Sequence, residues 1–130
     1  MSKKEIITIE DILKRKDFYK NKKVETKELY IRSIDSNIVI KKPDKELMYD
    51  VSDMSDKGND KDADNYLVYE SIVEPNLKDP KLQEAFKDSI ENPMDILFEI
   101  FDPMEVSGIA SQIVIFAGLN GVKEIEDVKK

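Results

Sequence analysis

Residues 66–83, YLVYESIVEPNLKDPKLQ, decide how this chain folds. The first half, with Leu67, Val68 and Ile72 among polar neighbours, reads as the end of an amphipathic helix. Glu74-Pro75 stops it: proline removes a backbone donor and disfavours helical geometry in the residue before it. Asn76 to Lys78 read as a turn. Asp79-Pro80 then opens a second helix, because the aspartate can accept an N–H of the first turn and the proline ring presets φ. The same punctuation recurs at Asn92-Pro93 and Asp102-Pro103, and Asp62 reads as a further N-cap. Helices are therefore expected near 63–74, 80–90, 93–101 and 103–119, with Gly118 and Gly121 letting the last one stop.

Upstream the pattern changes. Thr8 before Ile9, Ile12 and Leu13, with Asp11 three places on, is close to a capping box and predicts a helix over 9–16. DFYKNKK (17–23) reads as turn. Val24 to Ile34 and Asn37 to Lys41 have strand character around the turn-like Asp35-Ser36, which predicts a β-hairpin over 24–42. An isolated hairpin is marginal in water, so it must pack on the helices or pair with another chain. Pro43-Asp44 opens a helix through Leu47, Met48 and Val51, and SDMSDKGNDKDADN (52–65) is expected to be a mobile acidic loop. The expected fold is α+β and mainly α-helical: one domain over 1–130, with a small N-terminal hairpin, a helical bundle over 66–121 and a charged tail over 122–130.

Composition excludes several chemistries. The 130 residues contain no His and no Cys. That removes disulfides, thiol and Ser-His-Asp nucleophiles, Cys/His zinc sites and the usual neutral-pH proton shuttle. The formal charge of −7 argues against a dedicated nucleic-acid binder. It conceals an asymmetry: residues 1–42 carry a net +5 and residues 43–130 a net −12. A basic end and an acidic body can orient a protein in an assembly, although two solvated surfaces are the plainer reading. The N-terminus lacks the apolar core of a signal peptide. The charge-free window from Val106 to Asn120 is shorter than the roughly 20 residues a bilayer span requires. A cytoplasmic protein without a membrane segment is expected.

Placing residues at 100° intervals shows more apolar surface than one core needs. In 93–101, Met94, Leu97, Phe98 and Phe101 make one stripe, and Ile96 and Ile100 widen it. In 103–119, Val106, Ile109, Ala110, Ile113, Val114, Phe116 and Ala117 form the core face, while Met104, Gly108, Ser111 and Ile115 form a second face without a charge. Either the hairpin and first helix cover these second faces or a partner does, since large apolar patches are rare on soluble monomers. Ile96, Ile100, Met104, Gly108, Ser111 and Ile115 are the candidate partner-binding residues.

Other motifs fail on their own chemistry. Setting Asp60, Asp62 and Asp64 as calcium ligands requires Gly and Glu later in the loop, where Asn65 and Ser71 stand. The basic cluster Lys14, Arg15, Lys16, Lys20, Lys22, Lys23 and Lys27, around Phe18 and Tyr19, is interleaved with acids and reads as a solvated face. Carboxylates are many, but none sits in a catalytic pattern, and neither a phosphate loop nor a nucleophile elbow is present. No catalytic residue, cofactor or metal is expected.

Tyr69, Ile72-Val73-Glu74-Pro75, Leu77 and Leu82-Gln83, then a charge-free helix closing on Leu119-Asn120-Gly121, resemble the XkdN-like family of phage tail assembly chaperones. The hairpin with Lys42-Pro43 after its second strand is also similar to that family. The resemblance covers most of 24–121; the acidic 52–65 segment and the Asp102-Pro103 break depart from it. It implies a non-enzymatic chaperone of a phage, prophage or phage-tail-like bacteriocin (tailocin). Such a chaperone would coat the helical tape measure protein, keep it soluble until tail tube subunits replace it, and be absent from the mature particle. A longer frameshifted form is known in the family. The alternative is a structural subunit retained in the tail or baseplate. A homo-oligomer is compatible with the sequence.

Overall fold

Alternation along one strand organises the sheet. In β2 (Ser36–Lys41) Ile38 and Ile40 are buried while their neighbours are not, as the two-residue period of a strand requires. β1 (Thr26–Ile31) pairs with it antiparallel, setting Leu29 opposite Ile38 and Lys27 opposite Ile40. The connection is a 3₁₀ turn, Arg32–Ile34, closed by Asp35 in the left-handed region at φ 45°. The computed structural model describes residues 5–21 and 24–118. The charged tail and the Leu119-Asn120-Gly121 motif lie outside the described residues.

The hairpin is one strand short of the whole sheet. β3 (Ile72–Glu74) adds antiparallel to β2, giving the order β1-β2-β3 with a bulge beside Val39 and Ile40. The expected helix over 63–74 therefore ends early. α4 runs Asp60–Ser71, and Ile72 is its C-cap with extended backbone. Two β-branched residues followed by Glu74-Pro75 disfavour another helical turn, and the open edge of β2 supplies their hydrogen bonds instead. The Glu74–Pro75 peptide bond is cis.

Most of the acidic stretch 52–65 is helix rather than loop. α3 (Lys45–Asp56) is capped by Asp44, whose carboxylate accepts Leu47 N–H at 2.9 Å, and it continues past Val51. Gly58, at φ 83°, lets the chain reverse, and α4 starts at Asp60 behind Asn59 rather than Asp62. Met48 and Val51 pack against the core, and Asp60 and Asp62 fall in the first turn of α4, where the helix dipole favours acids. The polar run from Asp17 to Lys20 also differs from expectation: after α1 (Ile9–Lys14), Lys16–Lys20 is a second short helix, α2.

The three Asx-Pro pairs open helical turns at the expected places, by two kinds of cap bond. Asp79 accepts Lys81 N–H at 2.8 Å to open α5 (Pro80–Ala85). Asn92 N–H donates to the Asp95 carboxylate at 3.2 Å to open a 3₁₀ turn, Pro93–Asp95, that runs into α6 (Ile96–Ile100). Asp102 N–H donates to Glu105 at 3.0 Å to open α7 (Pro103–Phe116). Gln83 fastens the irregular segments, its amide donating to Leu77 C=O at 2.8 Å and Pro93 C=O at 3.1 Å. One core results. It joins Ile38 and Ile40 of the sheet to Leu67 and Val68 of α4, Ile96 and Leu97 of α6, and Ile113 of α7. Each such side chain contributes about 1.5–3 kcal/mol relative to exposure.

Candidate partner-binding face

α7 has two faces of unequal burial. Val106, Ile109, Ala110 and Ile113 are all at most 4% exposed and meet α4 and the sheet. Met104, Gly108, Ser111 and Ile115 lie on the opposite side within an arc of about 60°. All four are exposed, Met104 at 81% and Ile115 at 41%. Ser107 and Gln112 flank them, so every exposed position on the outer side between 106 and 118 is uncharged. On a chain that is 38% charged, that ridge is the exceptional surface.

The six candidate residues separate. Ile96 is wholly buried and belongs to the core, and Ile100 is half-buried against it. Phe98, expected inside with Leu97, is instead 44% exposed. The reason lies in the entry to α6: the Pro93–Asp95 turn is 3₁₀, so the 100° spacing assumed across 93–101 does not hold through it.

Two grooves flank the ridge. One, of about 400 Å³, lies between β1 and α7 and is lined by Leu29, Tyr30, Ile31, Gly108, Ile109 and Gln112. The other, of about 420 Å³, lies between α4 and the α6–α7 corner and is lined by Asp64, Phe98, Pro103, Met104, Val106 and Ser107. Periodicity along α7 locates the ridge but gives no sign of these walls, because they come from elements far away in sequence.

A polar clasp closes the first groove at its end. Glu105 accepts Ser33 Oγ–H at 2.6 Å and Ser33 N–H at 3.0 Å, while also holding Asp102 N–H. The Ser33 hydroxyl, the Asp102 amide and the Ser33 amide all favour its ionised form, so its pKa is held below the ordinary glutamate value. Tyr30 O–H donates to the Asp35 carboxylate at 2.6 Å, which raises the tyrosine pKa, with a smaller contribution from desolvation. At the opposite end, the Lys27 ammonium lies 5.8 Å from the centre of the Phe116 ring. The hairpin turn at one end of the groove and β1 at the other are thus tied to α7.

The ridge itself offers small and apolar side chains for burial, with Arg32 and Glu105 as the charged groups of the groove beside β1. Among the described residues, no cluster of acidic side chains is arranged to hold a metal ion. Nor is any helix among them long and apolar enough to cross a membrane. A family model described as phage XkdN-like tail assembly chaperone protein matches residues 3–129. No curated protein and no solved structure gives a significant match.

Proposed function

The chain belongs to the phage XkdN-like tail assembly chaperone family, and from that premise we propose that its client is the tape measure protein of its own tail. The chaperone coats that long helical protein in the cytoplasm of the host cell. It releases its client when tail tube subunits take over the same surface, and it leaves no copy in the mature particle. No catalytic group, cofactor or nucleotide takes part.

The uncharged ridge of α7, between its two grooves, is the observation that carries this reading. A client helix laid along Met104, Gly108, Ser111 and Ile115 meets small side chains where its backbone must come close and apolar ones where it can bury its own stripe. Each aliphatic side chain buried there is worth about 1.5–3 kcal/mol before the costs of association. A few of them give a moderate affinity, which suits a holder that must later be displaced.

Met104→Asp and Ile115→Asp test the assignment. Both replace exposed side chains, so melting temperatures should stay close to the parent. Binding of immobilised tape measure fragments should fall at least tenfold, since a charge would be buried without a partner. Unchanged binding by both variants would falsify the ridge as the client surface. Stoichiometric amounts of this chain in purified tails, by mass spectrometry, would move the protein to the retained structural subunits.

A further inference from the structure

Two surfaces stand exposed among the described residues and match each other. We propose that the α1–α2 helix pair of one copy docks in the α4–α6–α7 groove of a second copy.

The arm cannot explain itself. Helices as short as α1 and α2, six and five residues, are unstable alone in water and depend on packing for their stability. Yet neither buries a single residue. Ile9, Ile12 and Leu13, at the spacing that forms one helical face, are 75%, 42% and 62% exposed. A capping box between Thr8 and Asp11 fixes the start of that face. The apolar stripe is thus built and left uncovered.

The groove offers the complementary features. Phe98 and Met104 stand exposed at its rim above buried Val106, and Lys61, Asp64 and Asn65 of α4 form the opposite wall. Charge gives the match its direction. Residues 14–23 hold six bases and one acid, whereas residues 53–64, leading into and along α4, hold five aspartates and two lysines. With Ile9, Ile12 and Leu13 against Phe98 and Met104, the basic end of the arm lies beside the acidic start of α4.

Within one copy the arm does not fill this groove: no arm residue lines it, and Ile9, Ile12 and Leu13 stand exposed. The arm enters β1 close to Lys27, which lies over Phe116 at the C-terminal end of α7. The groove is at the other end of that helix, around Pro103, and on the side away from β1. At 1.5 Å per residue those ends are about 20 Å apart. Met104 belongs both to this contact and to the proposed client ridge, so the contact is read on the chain without client.

The chain has no cysteine, which makes the contact directly readable. Full-length Leu13→Cys and Met104→Cys proteins, prepared separately, mixed and oxidised, should form a disulfide-linked heterodimer in preference to either homodimer. Sedimentation of the unmodified chain should show a concentration-dependent dimer that weakens as salt rises and screening shortens the reach of its charges. Leu13→Asp should melt like the parent, because Leu13 is not in the core, but sediment as a monomer. Three results overturn the proposal: a chain monomeric at every concentration, a Leu13→Asp protein that still dimerises, or a doubly substituted chain whose disulfide closes within one copy.

Discussion

Glu105 joins parts of the chain 72 residues apart through a single carboxylate. Its three hydrogen bonds are made to the charged form, so its folded pKa lies below the ordinary 4.5, with the Ser33 hydroxyl the largest cause. A depressed carboxylate contributes stability that is fully present above its unfolded pKa and is lost as pH falls through the folded value. Glu105→Gln should therefore melt below the parent at neutral pH, and the gap should narrow as the medium is acidified past about pH 4. A gap independent of pH, in melts followed by circular dichroism, would mean that the ionised form contributes nothing. Ser33 and Glu105 look unremarkable in the sequence. The cap at Asp102-Pro103 was legible because it is local; its bond to the hairpin turn was not, because only the fold brings the two together.

α7 shows at the level of one element why a legible pattern still needs the structure. Its period assigns core and ridge correctly, and the two sides should respond oppositely to substitution. Ile113→Ala, at a wholly buried site, should cost about 2–5 kcal/mol. At Gly108 a new Cβ meets no atom within 4 Å, so Gly108→Ala should stabilise the helix by about 0.5–1 kcal/mol. If Gly108 serves the client's close approach, that more stable variant binds tape measure fragments more weakly. Chemical denaturation and a binding titration on the same preparation separate the two effects. Other elements were harder to read. β3 was taken into a helix because only the neighbouring edge of β2 makes Ile72 and Val73 a strand. The acidic α3–α4 region was taken for a loop because Met48 and Val51 gain their packing from elements outside it. Ile96 changed sides because the 3₁₀ turn before α6 shifts the helical phase.

For the molecule as a whole, the charge asymmetry seen in the sequence acquires positions: a basic arm at one end, acids around the start of α4, and an uncharged ridge on α7. That arrangement leaves the uncharged strip of α7 exposed on an otherwise heavily charged protein. It agrees with the family's role in tail assembly, and it makes the choice of client the central claim. Co-expression with the tape measure protein encoded in the same gene cluster, followed by light scattering on the soluble fraction, tests that claim most directly. A stoichiometric soluble complex, formed with a client that precipitates when expressed alone, is the predicted result. A client that precipitates regardless while this chain elutes without it would contradict the account.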